Sequence, residues 1–323
     1  MSAVLNKGDI FSGCRILAEC GKGAYGVVYL AENAIGQKIV IKLVTSSGHS
    51  DREFRGLKHY IPVSGTHPNL LQVFHVGKFA DGFYYTMEAA DNLNDSGDFY
   101  RPATLGNMLR EGRKFSPEYA VRVTRELLGG VSAMHRANLV HRDIKPDNII
   151  FVNGKAKLSD PGLVTEAGQP ETFAGTPGFI PPECIADALP ATPGNDLYAL
   201  GKVFYCMVTG NPPGEYPHLP ENMRIEVRRQ LFPSLSQMCN TNPAKRFTSA
   251  EEFLKSLPET IKNPSFLERK YSAFRDWKIL NREKFRFFIF SLLFLLLIAV
   301  AAAALLLIGH TRKYPAIRGC TGK

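Results

Sequence analysis

The chain has 323 residues, 45% of them hydrophobic, enough to bury one large core or two modest ones and too apolar for general disorder. Its formal charge of +9 is concentrated near the C-terminus, where residues 266–323 carry 11 Lys+Arg against three acids, while the remainder is close to neutral. A near-neutral body speaks against nucleic acid as a partner, and six cysteines without a CxxC pair speak against a disulfide framework or a cysteine metal site.

The opening stretch MSAVLNKGDIF has no basic segment followed by an apolar run, so no signal peptide is expected. Residues 10–90 alternate β-rich runs with turn signals (FSGCRILAEC, GVVYLAEN, QKIVIKLV, LLQVFHVGKF, GFYYTMEAA) and predict a meander of about five strands. A helical segment, DREFRGLKHY, interrupts it after Val44. Between the first two strands, GKGAYGVV sets Gly21, Gly23, Gly26 and Val28 in GxGxxGxV spacing. Glycines let backbone amides approach phosphates closely, and a position between two strands rather than before a helix argues against a dinucleotide fold. IVIKLV then places Lys42 in an apolar strand, where a buried ammonium needs a partner. Of the acids that follow, Asp51, Glu53 and Asp81, the expected partner is Glu53 in the helical segment, and Leu57, one turn on, faces the same way.

The β-rich part ends near residues 88–92, and the polar stretch DNLNDSGDFYRP (91–102) reads as a surface loop after that join. Residues 104–258 read mostly helical, with apolar residues at three- and four-residue spacing in TLGNMLREG, SPEYAVRVTRELLGGVSAMHRA and SAEEFLKSL. Ser116-Pro117-Glu118 and Ser249 with Glu251 and Glu252 are helix starts. Within this half, HRDIKPDN (141–148) is the most specific signal, followed by SDPG (159–162), GTPGFIPPE, DLYALG (196–201) and NPAKRF (242–247).

This ordered series resembles the eukaryotic-like Ser/Thr protein kinase family, in its bacterial membrane-anchored branch, over roughly residues 8–258. The resemblance implies an α+β bilobal kinase fold, with a β-rich N-lobe of about 1–88 and an α-rich C-lobe of about 92–258. It implies that Asp143 accepts or orients the substrate hydroxyl proton, that Lys145 steadies the transferred phosphoryl group, and that Asn148 and Asp160 hold Mg2+, with Mn2+ as a substitute ion. Lys42 would contact the α/β-phosphates of ATP while pairing with Glu53. Gly21, Lys22, Gly23, Gly26, Val28 and Val40 would cover the nucleotide, with Met87 as gatekeeper, Glu88–Ala90 as hinge and Ile150 as floor. Lys145 and the GTPGF run point to the Ser/Thr branch, with protein substrates and Thr176 beside Asp143 and Lys145. Glu183 and Arg246 would form a buried, bracing ion pair. Arg142 would receive a phosphate on Thr172, ordering that segment.

The sequence departs from the family pattern at Pro161, which stands where phenylalanine is usual and should soften the packing between Leu57 and His141. Val40 stands where alanine is usual, and the spacing from Lys42 to Glu53 is short. Since the charged catalytic positions are present, an active enzyme is expected. The alternative is a pseudokinase scaffold that binds ATP without transfer; a small-molecule phosphotransferase is disfavoured by the peptide-platform segment GTPGFIPPE.

After a basic juxtamembrane segment (259–286), residues 287–308 run FFIFSLLFLLLIAVAAAALLLI without a charge. A helix of that length spans about 33 Å, enough for a hydrocarbon core of about 30 Å. One transmembrane helix is therefore expected, in contact with membrane lipid. Seven bases precede it and four follow, which puts the large domain on the cytoplasmic side of the cytoplasmic membrane and leaves a short extracytoplasmic tail, 309–323. Ala299 and Ala303 give a small-xxx-small spacing, the basis for expecting a homodimer.

Overall fold

The computed structural model describes residues 5–23, 26–45, 50–94, 99–169, 175–187 and 190–261, with isolated positions between 270 and 300. Residues 1–261 form one compact unit and residues 262–323 another. In the second, the described positions 289–291, 293, 295–298 and 300 are helical and exposed. Among the described residues no helix is long and apolar enough to cross a membrane. Much of the 287–308 segment expected to do so lies outside them.

The first lobe is a six-stranded antiparallel sheet with one helix. Its strands are β1 (Ile10–Phe11), β2 (Cys14–Gly23), β3 (Gly26–Glu32), β4 (Lys38–Thr45), β5 (Val73–Phe79) and β6 (Gly82–Glu88), with α1 (Ser50–Ser64) between β4 and β5. The spatial order is β1-β2-β3-β4-β6-β5, so the expected simple meander is broken. The chain leaves β4 to build α1, returns at the outer edge as β5, and places β6 in between.

Side-chain alternation on β4 decides what faces the cleft. Ile39, Ile41 and Leu43 point into a small outer core with Cys14, Ile16, Tyr29, Ala31 and Tyr84. Burying such side chains is worth about 1.5–3 kcal/mol each, and a register slip would reverse every one of them. The same register sends Val40 and Lys42 to the opposite face, where they line a cavity between the lobes. Where β3 opens, a Cβ on Gly26 would overlap the carbonyl oxygen of Leu43 on β4, so only glycine permits that approach.

The second lobe contains α2 (Leu105–Arg110), α3 (Pro117–Arg136), α4 (Pro182–Asp187), α5 (Pro193–Thr209), α6 (Ile225–Met238) and α7 (Ala250–Ser256). Short strands β7 (Leu139–Val140), β8 (Ile149–Val152), β9 (Lys155–Leu158) and β10 (Thr165–Glu166) form two ribbons beside them. The Ser116 and Ser249 hydroxyls cap α3 and α7, each accepting a backbone N–H three residues on at 3.1 Å. Helix α5 is buried on every face from Asp196 to Met207, which explains its near-continuous apolar run. Asp196, one of its polar exceptions, accepts the backbone N–H groups of His141 and Arg142 at 2.8 and 2.9 Å and contacts the His135 ring at 2.9 Å. The core helix thereby clamps the loop that carries HRDIKPDN. Glu183 and Arg246 form a two-pronged ion pair at 2.5 and 2.8 Å.

Candidate active site

Two clusters of charge meet where a cavity of about 670 Å³ and one of about 100 Å³ share Lys145, Asp160 and Thr176; Lys42 lines the larger, and Glu53 and Asp143 line the smaller. The first joins the lobes. Lys42 Nζ lies 2.7 Å from Glu53 Oε1 and 3.0 Å from Asp160 Oδ1, so the eleven-residue spacing is bridged after all. Helix α1 turns Glu53 inward until only 3% of it is exposed, where it also accepts the Tyr85 hydroxyl at 3.0 Å. Burial works against the Lys42 charge, but Asp160 and Glu53 outweigh it and hold the ammonium well above the ordinary lysine range. Asp160 likewise stays below the usual carboxylate range despite desolvation, because Lys42, His141 and Lys145 face it.

The second cluster lies on the loop before β8. Lys145 Nζ donates to Asp143 Oδ2 at 2.7 Å and to Thr176 Oγ1 at 2.8 Å, and Thr176 Oγ1 donates to Asp143 Oδ1 at 2.8 Å. The Asn148 side-chain amide donates to the backbone oxygen and Oδ2 of Asp143, both at 2.9 Å. Asp143 is therefore held from both sides, with its proton-accepting edge fixed.

The remaining expected positions fall in two groups. Gly21, Lys22, Gly26, Val28, Val40, Met87, Glu88, Ala90 and Ile150 all line the cavity, and Gly23 ends β2 beside it in sequence. The oxygens of Asp160 and Asn148 are hard donors of the kind a magnesium ion takes. Arg142 instead lines a separate cavity of about 350 Å³ with Arg52, Arg55, His59 and Glu166. Thr172 lies outside the described residues.

Around Pro161 the backbone takes a defined form. The Asp160 backbone is left-handed, φ 57°, and Pro161 opens a tight turn, Pro161–Leu163, in which the Val164 N–H bonds back to the Pro161 carbonyl at 3.1 Å. A proline at that first position needs no N–H partner. Helix α1 closes on the turn at Gly56, where a Cβ would lie 2.6 Å from the Pro161 carbonyl oxygen. Here the two lobes meet through backbone. The His141 ring nitrogen bonds the Ser159 carbonyl at 3.0 Å and fixes the turn from the other lobe.

Several lining residues had no part in the sequence reading: Cys20, Tyr100, Asn107, Arg110 and Asp147. Arg110 pairs with Asp147 at 2.6 Å, tying α2 to the catalytic loop. Asp147 was in view within HRDIKPDN, but nothing in the spacing of TLGNMLREG marks Arg110 as its partner.

Comparison with known proteins agrees with this geometry. The family model described as "Protein kinase domain" matches residues 14–264. The chain is 30% identical over 277 residues to the probable serine/threonine-protein kinase zyg-1 of Caenorhabditis elegans, covering 82% of this chain and 37% of that protein. Similarity to mouse Aurora kinase B is 29% over 250 residues, covering 72% and 69% of the two chains. With the serine/threonine-protein kinase PknK of Mycobacterium tuberculosis the figures are 28% over 201 residues, 60% of this chain but 17% of that protein. The chain thus spans well under two thirds of several relatives. Among solved structures, the Mycobacterium tuberculosis PknI kinase domain matches with a TM-score of 0.58 at 21% identity, covering 78% of this chain and 97% of that one, a likeness of fold.

Proposed function

The chain belongs to the Ser/Thr protein kinase family, and from that premise we propose that it transfers the γ-phosphoryl group of ATP to serine and threonine hydroxyls of protein substrates. The observation that carries this reading is the pair of clusters, Lys42–Glu53–Asp160 and Asp143–Lys145–Thr176, set around two cavities that share Lys145, Asp160 and Thr176.

In this reading the purine lies between Val28 and Val40 above and Ile150 below, with its edge on the backbone of Glu88–Ala90 beside Met87. Gly21, Lys22, Gly23 and Gly26 cover the phosphates, and Lys42, oriented by Glu53, holds the α/β-phosphates. Asp143 takes the proton of the attacking hydroxyl, while Lys145 and Thr176 keep its carboxylate aligned and Lys145 balances charge on the moving phosphoryl group. The transition state is loose, so positioning and charge neutralisation supply most of the acceleration. Asn148 and Asp160 would hold magnesium, which when bound supplies further neutralisation of the phosphate charge. Phosphate transfer from labelled ATP by the full-length protein, beside Asp143→Asn, tests the proposal. Transfer lost in the variant supports it. ATP binding with no transfer by the parent protein sinks it in favour of a nucleotide-binding scaffold.

Residues 287–308 serve as a single membrane anchor with the kinase domain in the cytoplasm, supported by 22 uncharged residues and the heavier basic flank before them. Release of the full-length protein from membranes by alkaline carbonate would refute the anchor. Thr172 is an autophosphorylation site that pairs with Arg142, and an unmodified Thr172 in fully active protein, read by mass spectrometry, would reject this. Helix association through Ala299 and Ala303 brings two copies together for it; specific activity unchanged on dilution in detergent would count against that step.

A further inference from the structure

The loop between β6 and α2 is more than a connection. Asp91 enters the second lobe with its N–H on the Phe151 carbonyl at 2.7 Å, and its carboxylate accepts the N–H groups of Asn153 and Gly154 at 2.8 and 2.9 Å. The loop then folds back on itself: Leu93 N–H bonds the Arg101 carbonyl and Ala103 N–H the Asp91 carbonyl, both at 2.8 Å. Asn92 stitches the two arms, accepting from Arg101 N–H at 2.8 Å and Asn94 N–H at 3.2 Å and donating to the Asn94 carbonyl at 3.0 Å. Arg101 also pairs with Glu111 at 2.6 Å.

This tied loop presents two adjacent aromatics in an unexpected way. Phe99, which has no polar atom, is 63% exposed, whereas Tyr100 is turned inward to line the cavity. Packing alone would bury the phenylalanine first. Tyrosine differs from it by a hydroxyl, and that hydroxyl donates to the hinge carbonyl of Ala90 at 2.9 Å. Burial pushes the phenol well above its ordinary range, so it stays a donor. Cys20 of β2, Pro102, Thr104, Asn107 and Asp147 line the same cavity as Tyr100.

We infer that Tyr100 is a nucleotide-binding residue: pinned to the hinge by its hydroxyl, its ring closes the base-and-sugar end of the cavity and packs on the bound ATP. The inference rests on the kinase reading for its ligand. The loop is the positioning device, and Asn92 acts through Tyr100.

The test uses full-length protein in two arms. Calorimetric binding of magnesium ATP is measured in an Asp143→Asn background, and kcat and KM for ATP in the active background. Tyr100→Ala should raise both Kd and KM about 10-fold, the loss of one aromatic wall, with kcat within about two-fold. Tyr100→Phe keeps the ring and loses the hinge bond, so a rise of about three-fold is expected. Asn92→Ala should move KM in the same direction, and Phe99→Ala should not move it. Unchanged Kd and KM in Tyr100→Ala would overturn the inference. So would a fall in kcat and melting temperature with KM unmoved, which marks a structural role. If the parent protein binds ATP but transfers no phosphate, the binding arm still decides Tyr100 while the kinase reading falls. A parent protein that does not bind ATP overturns both.

Discussion

Gly56→Ala separates two ideas about α1. In an exposed helix the change is favourable, worth about 1 kcal/mol of helix propensity. Here the new Cβ would sit 2.6 Å from the Pro161 carbonyl oxygen and 3.1 Å from the Gly162 carbonyl, against an ordinary contact beginning at 3.4 Å. The helix must recede by about 0.8 Å or the turn must move. Overpacking of this kind costs about 1–3 kcal/mol. Set against the propensity gain, the net is a loss of up to about 2 kcal/mol, or a melting temperature lower by up to about 8 °C for a domain of this size. The larger effect should be on chemistry. Glu53 lies one turn before Gly56, and the same recession would stretch its 2.7 Å bond to Lys42 beyond hydrogen-bond range. A misplacement of this size predicts a kcat lower by about 10- to 100-fold. Scanning calorimetry and phosphate transfer from labelled ATP on full-length protein read the two numbers. A variant that melts higher and turns over at the parent rate would refute the reasoning, since α1 would then not be seated on the Pro161 turn.

Thr176→Ala removes the hydroxyl that links Asp143 and Lys145, each 2.8 Å away, and should lower kcat about 10-fold, with Thr176→Ser close to the parent; equal loss in both variants would show that the hydroxyl is not the operative group. Glu183→Ala leaves the Arg246 guanidinium buried without its carboxylate and should cost about 3 kcal/mol or more, read by denaturant unfolding; a change under about 1 kcal/mol would mark the pair as solvent-screened. Asp196 is held below its ordinary value of 3.8 because, although burial opposes the charge, His135, His141 and their hydrogen bonds favour it. Its folded pKa is depressed, so its contribution is complete above about pH 4 and is lost as pH falls through the lower folded value. Acid unfolding should therefore begin at higher pH in Asp196→Asn, whose clamp is already weakened; superimposable acid transitions would exclude that role.

The N-lobe was legible because side-chain alternation on β4 is a local property: once IVIKLV is a strand buried on both faces, Lys42 must point away from Ile41 and Leu43. The order β4-β6-β5 was not legible, because which strand fills the slot beside β4 depends on where α1 returns the chain. Asp143, Lys145 and Asn148 were readable as a set, since a spacing of five residues leaves the loop little freedom. Tyr100 was invisible for the opposite reason. Its role follows from Asn92 and Asp91 folding a polar stretch back on the hinge, and a polar stretch has no periodicity to read. Thr176 lies between these cases, found through its neighbours in GTPGF and given its contacts by the fold.

Pro161 is the departure that most invited a reading of lost activity, and its surroundings argue the other way. A degraded site would be expected to lose charged groups first, since a buried ammonium or carboxylate without its partner is costly. Lys42, Glu53 and Asp160 instead satisfy one another within 3.0 Å. Replacing an aromatic ring by proline alone would leave a void between α1 and the turn, and voids destabilise in proportion to their volume. The residue facing Pro161 is a glycine, and the helix backbone fills the space. Gly56 lacks a side chain where the Pro161 carbonyl oxygen approaches the helix. The turn needs no amide partner, because proline has no N–H to satisfy. With proline at this position the lobes still meet through backbone, and Asp160 faces Lys42 in the cavity.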